Sequence, residues 1–153
     1  MDIVALVDAM ADGRVLAGPR NPQVAQWLAD TSRTLYALAM PRWAASDMAE
    51  FATPAALAYF TRNKEAVIGP FADRLAQSGE YIDALNAQLP ALGALIQSAD
   101  AVNGVLSEDD IHLFAALRAL SIVRGIRYPA AVEKYRVRMA GRTRVELHDA
   151  IAG

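Results

Sequence analysis

The stretch Asn103-Gly-Val-Leu-Ser-Glu-Asp-Asp-Ile-His-Leu-Phe-Ala-Ala-Leu117 carries the strongest structural signal in the chain. Gly104 lets the chain turn sharply. Ser107 then offers a side-chain oxygen to the first free amides of a helix, and Asp110, three residues on, reaches back to complete a capping box. Leu106 and Ile111 occupy the two ends of a hydrophobic staple around that box. Glu108, Asp109 and Asp110 fill the first turn, where the helix dipole favours negative charge. The residues beyond them (Leu113, Phe114, Leu117, Leu120, Ile122, Val123) are apolar on nearly every side, so the segment reads as the buried central post of a helical domain.

The rest of the chain agrees with an all-α fold. It has 153 residues, enough for one domain with a sizeable core. Its 32 alanines outnumber all the β-branched residues together, and alanine is the strongest helix former. Ile3 to Ala11 reads as a short amphipathic helix ended by Asp12-Gly13, and Arg14 to Arg20 as a linker. Asn21 and Pro22 open a helix that Pro41 should stop or kink. Thr53-Pro54 opens another, ended near Ile68 by Gly69-Pro70. A short helix over Phe71 to Ala76 should break at Ser78-Gly79. Helical spacing continues from Glu80 to Gln97, with a kink expected at Pro90. The central helix should run to Gly125. Pro129 opens a helix with Val132, Tyr135 and Met139 inward, which Gly141 should end, and Arg144 to Ile151 forms a last short helix. The apolar spacing never holds a heptad for long, so the expectation is an orthogonal bundle and not a coiled coil.

Charge and composition exclude several classes of function. The net charge of −2 gives no reason to expect nucleic acid or an anionic membrane as partner. No apolar run approaches the ~18 residues needed to span a bilayer, and no secretory leader is visible; a cytoplasmic location is the expectation. There are no cysteines, which removes disulfides, thiolate ligands and thiol nucleophiles together. His112 and His148 lie far apart and suggest no metal site. The acids at 108–110 fit helix-start chemistry better than a divalent cation. Glycine-rich phosphate loops are missing. No residue presents itself as catalytic.

The capped helix resembles the one in the all-helical C-terminal domain of glutathione transferases. More narrowly, Ala101-Val-Asn-Gly-Val-Leu-Ser-Glu-Asp-Asp-Ile-His-Leu-Phe114 resembles the bacterial glutaredoxin 2 family. Other pieces agree in order and spacing: Met1-Asp-Ile-Val4, Pro41-Arg42-Trp43, Glu50-Phe51-Ala-Thr-Pro-Ala-Ala56, Tyr59-Phe60, Lys64-Glu-Ala66, Phe71-Ala-Asp73, and Val132 with Tyr135-Arg136. The resemblance implies an orthogonal bundle of the transferase C-terminal type. It implies residues 1–12 as a remnant of the last helix of a thioredoxin-like domain, 13–20 as the interdomain linker, and 21–153 as the helical domain. The family's Cys-Pro-Tyr-Cys motif and glutathione-holding Glu-Ser pair do not occur here. Glutathione is therefore implied for the whole protein and for no residue of this chain.

The resemblance also implies a role: a non-catalytic domain that packs on its thioredoxin-like partner and walls the cleft where disulfide substrates are reduced. Tyr36, Met40, Arg42 and Trp43, at the end of the first long helix, are the cleft or interface candidates. Ser107 and Asp110 are expected to be structural caps. Arg118 and Arg124 are expected at the rim of the central helix or paired with acids. An isolated domain of this kind should leave an apolar patch open and could self-associate. Two other readings compete: a free-standing helical module binding apolar small molecules, and the C-terminal domain of a glutathione transferase.

Overall fold

The structure, a computed structural model, describes residues 3–10 and 15–153. Seven α-helices succeed one another among the described residues: α1 (Ile3–Ala9), α2 (Pro22–Ala44), α3 (Pro54–Ile68), α4 (Phe71–Ala76), α5 (Ser78–Leu95), α6 (Glu108–Leu120) and α7 (Ala130–Thr143). Short 3₁₀ turns cover Ala49–Phe51 and Asp149–Ile151. Among these residues there is no strand, and no helix is long and apolar enough to cross a membrane. The fold is the all-α bundle that the sequence implies.

The core explains why. Val24 and Trp27 of α2, Leu89 and Leu92 of α5, Leu113, Phe114 and Leu117 of α6, and Val132, Tyr135 and Met139 of α7 form one buried cluster. Leu35 and Leu38 continue it along α2 against Leu85, Leu120, Ile122 and Val123. Helical spacing places each set on one face of its element. A third, smaller cluster joins Met40 to Ile68 and Phe71. The centre is thus shared: α2 packs on α3, α4, α5 and α6, and so holds as much of the bundle as α6. Nor is α6 buried all round, because Ile111, His112 and Ala115 are exposed.

Several boundaries depart from expectation for local reasons. Pro41 does not stop α2, which runs to Ala44. A proline removes a single amide bond, here the one to the Ala37 carbonyl; Met40 and Trp43 are held by packing with Ile68 and Phe71, which carries the helix on. The break after α4 falls at Gln77, so Ser78 and Gly79 already belong to α5. That helix runs through Pro90, as the helical spacing on both sides of it implies. α6 ends at Leu120, not at Gly125. Ser121 Oγ donates to the Arg118 carbonyl at 2.6 Å and accepts the His148 amide at 2.7 Å, the competition by which serine ends helices. Gly141 lies within α7, which closes instead at Arg144 in the left-handed conformation with φ 56°. The expected last helix is only the 3₁₀ turn at Asp149–Ile151. The expected end of the first helix at Asp12-Gly13 lies outside the described residues.

One buried polar knot fixes the start of α6. Ser107 and Asp110 form the capping box, and its tight arm is the Ser107 amide donating to Asp110 Oδ2 at 2.9 Å. Asp110 Oδ1 accepts the Val102 amide at 2.7 Å and the Tyr135 hydroxyl at 2.9 Å. Burial, reinforced by the Asp110 charge, raises the Tyr135 pKa far above 10, so that hydroxyl is a permanent donor. Asp109 Oδ2 accepts the Asn21 amide at 2.6 Å and Asn103 Nδ2 at 2.8 Å. Asn103 Nδ2 also reaches the Pro19 carbonyl at 2.8 Å, and Arg20 pairs with Glu108. The knot therefore binds the segment before α2, the turn at Gly104 (φ 80°) and α7 to one helix terminus.

Candidate functional site

The end of α2 separates the four candidate residues. Met40 is buried against Ile68 and Phe71. Arg42 is committed to structure: Nε donates to the Gly153 carbonyl at 2.7 Å, Nη1 to Leu38, and Nη2 to Ser78 Oγ at 3.2 Å. Tyr36 and Trp43 come together on the wall of a cavity of about 540 Å³ between α2 and α6. Small residues (Ala25, Ala29, Ser32, Ala115, Ala119) line it, and His112 shares it. His112 Nε2 lies 3.4 Å from Glu108 Oε1 and is otherwise exposed.

Trp43 reaches further. It also lines a larger cavity of about 600 Å³ on the other side of α6, walled by Leu16, Leu106, Ile111, Phe114 and Met139. It lines a smaller one of about 350 Å³ with Met48, Glu50, Phe51 and His148. Its indole Nε1 is buried with no acceptor in the described residues. Arg118 borders both of these cavities. Of the two expectations for Arg118 and Arg124, a rim position or pairing with acids, the first fits Arg118, half-buried at the cavity edge; their acceptors among the described residues are carbonyls, Glu146 for Arg118 Nε at 2.8 Å and Ala152 for Arg124 Nη2 at 3.0 Å. Arg124 lies beyond the end of α6.

His148 is partly buried. Burial, with the Arg118 charge beside it, lowers its pKa from 6.5. The unfolded chain therefore takes up a proton first as pH falls. The contribution of this group is fully present above pH 6.5 and is lost as the pH drops toward the lower folded value. A His148→Gln chain should show a flatter dependence of urea-unfolding free energy on pH between about 7 and 5 than the parent.

Sequence reading overlooked the cavity walls at Leu16, Ile111 and Phe114, and the buried role of Asp109. Only the position of Asn103 six residues ahead of Asp109 hinted at the latter. No group of three or more histidine or acidic residues arranged to hold a metal occurs among the described residues. The site is thus a set of apolar cavities meeting at an indole and a guanidinium. It offers shape, burial and hydrogen-bond donors, and, in a chain without cysteine, no thiolate.

Comparison with known proteins places this architecture. The family described as "Glutaredoxin 2, C terminal domain" matches residues 23–152. Glutaredoxin 2 of Escherichia coli K12 is 45% identical over 152 residues, covering 99% of this chain and 71% of the relative. The glutaredoxin 2 of Escherichia coli O157:H7 gives the same figures. The crystal structure of glutaredoxin 2 from Salmonella typhimurium in complex with glutathione matches with a TM-score of 0.95 and 44% identity, over 100% of this chain and 70% of the solved one. Matches of this extent identify the chain as a member of the glutaredoxin 2 family, carrying its C-terminal helical domain.

Proposed function

We propose that this chain is the buttress of a two-domain, glutathione-dependent disulfide oxidoreductase of the cytoplasm, with every redox step made by a thioredoxin-like partner domain. In this reading α1 is the last helix of that partner domain, residues 13–20 are the linker, and residues 21–153 wall the cleft. Tyr36 and Trp43, across the α2–α6 cavity, shape the wall that glutathione or the protein disulfide meets. With no cysteine to form a thiolate, the helical domain contributes position and exclusion of water.

The observation that carries this reading is α1. Ile3, Leu6, Val7 and the adjacent Met10 are 71%, 48%, 61% and 78% exposed. They recur at helical spacing, the pattern of a face that belongs in a core. Burying each such side chain is worth roughly 1.5–3 kcal/mol, so a partner that covers them gains a large driving force.

The test is fragment complementation. The thioredoxin-like part of the Escherichia coli relative, cut where this chain begins to match, is mixed with this chain. A 1:1 complex in sedimentation that reduces a glutathione mixed disulfide is expected, with no turnover by either fragment alone. Leu6→Ser combined with Val7→Ser should weaken the complex at least tenfold, since about 1.4 kcal/mol already corresponds to that factor. Absence of a complex, with a chain that stays monomeric at high concentration, would remove the reading.

A further inference from the structure

The cavity of about 600 Å³ beside α6 is of the size that takes a small organic molecule. Its body is apolar: Leu16, Leu106, Ile111, Phe114 and Met139 come from four parts of the chain and converge on it. Its polar groups are few and unequal. Arg118 and Arg142 line it, against one carboxylate, Asp110. That carboxylate already accepts the Ser107 and Val102 amides and the Tyr135 hydroxyl. Arg142 is partly satisfied, donating to the Asp100 carbonyl at 2.6 Å.

Arg118 differs. Among the described residues only its Nε has an acceptor, the Glu146 carbonyl at 2.8 Å. That bond fixes the plane of the guanidinium and leaves both Nη groups without a protein acceptor. The same side chain borders the adjoining cavity of about 350 Å³, where Glu50 disfavours an anion, so the unshared donors are best met from the larger, apolar side. An apolar chamber ending in a guanidinium with two unclaimed donors is matched by a ligand with an apolar body and one anionic oxygen group.

We propose that the chamber walled by Leu16, Ile111, Phe114 and Met139 binds amphipathic organic anions, compact aromatic or aliphatic molecules carrying one carboxylate or sulfonate, with Arg118 receiving the anionic group. Trp43 lines this chamber as well as the α2–α6 cavity, so the inference extends the cleft wall of the proposed function and rests on that reading, while its lining side chains all come from this chain.

The test uses two probes with the same aromatic body: 1-anilinonaphthalene-8-sulfonate and the neutral N-phenyl-1-naphthylamine. The intact chain should bind one sulfonate saturably. Arg118→Gln should weaken the sulfonate by roughly tenfold or more, the scale of one charge-assisted hydrogen bond, and leave the neutral probe within about twofold. Arg118→Lys should recover part of the loss. Ala115→Glu, at an exposed helical position on the cavity wall, should repel only the sulfonate and guards against a folding defect in the first variant. Serine at Leu6, Val7 and Met10 should change neither. The site is refuted by no saturable binding, by a sulfonate affinity indifferent to both Arg118→Gln and Ala115→Glu, or by loss of binding in the α1 variant. The last result would mean that the probe reads the exposed α1 face, and none of these outcomes bears on complementation by the partner domain.

Discussion

Asp110→Ala should lower the unfolding free energy by about 4 kcal/mol, measured by urea denaturation followed by circular dichroism. The substitution removes few apolar contacts. What it leaves behind is costly: the Ser107 amide, the Val102 amide and the Tyr135 hydroxyl all lose their acceptor in a buried site. Each orphaned buried donor costs roughly 1–3 kcal/mol, and the three share one carboxylate, so their losses combine at less than the full sum. A domain of this size holds only about 5–15 kcal/mol in all. Tyr135→Phe removes a single donor and should cost about 1–2 kcal/mol. Ser107→Ala should cost about 1 kcal/mol, the usual value of a cap. A loss below about 1 kcal/mol for Asp110→Ala would show that water replaces the carboxylate, and that the terminus of α6 is held by packing alone.

The sequence made this knot half legible. Ser107 and Asp110 stand three residues apart before an apolar run, and that spacing has one common meaning. Local chemistry of this kind is written in consecutive residues, which is why the caps at Asn21, Thr53 and Ser107 and the inward set Val132, Tyr135 and Met139 could be read directly. The misread boundaries share a different cause. Pro41 and Gly141 are local breakers, yet the helix runs through both; Pro41 is itself buried beside Met40, and propensity is a weak prior where packing holds a face. The end of α6 failed in the opposite direction. Ile122 and Val123 look like more helix and are indeed buried, but Ser121 has already turned the chain. The candidate site depended most on distance in sequence. Arg42 and Trp43 are neighbours, yet one ties down Gly153 while the other meets Arg118, Ile111 and Leu16 across the cavities. No periodicity reports such meetings, because they join segments that share no local pattern.

Gly18→Ala should also destabilise the chain strongly, for a purely steric reason. A Cβ at Gly18 would lie 2.2 Å from the Val105 carbonyl oxygen and 2.8 Å from that of Leu106. Both obstacles are backbone, so no side chain can swing aside. Gly18 does not use a left-handed conformation; its requirement is the close approach by which its amide donates to the Leu106 carbonyl at 2.7 Å. Relief of the clash must lift the segment 15–21 from the turn before α6. The contacts of Pro19 with Asn103 and of Asn21 with Asp109 are one and three residues away, and they should loosen with it. Overpacking of about 1–3 kcal/mol plus a lost hydrogen bond gives an expected destabilisation of about 3 kcal/mol. Gly79→Ala is the matched control: no atom lies within 4 Å of its added methyl, and it sits inside α5, so a gain of about 0.5–1 kcal/mol is expected. Amide exchange separates local from global loss. If the segment is a docked strap, the Gly18 amide should lose its protection in Gly18→Ala while the amides of α5 keep theirs relative to global stability. The same strap precedes α2 and connects toward α1, so a chain with a lifted strap should also complement the thioredoxin-like fragment less well than the parent. Unchanged protection at Gly18, together with parental stability, would mean that the turn at Val105 yields without cost and that the strap does not set the position of α1.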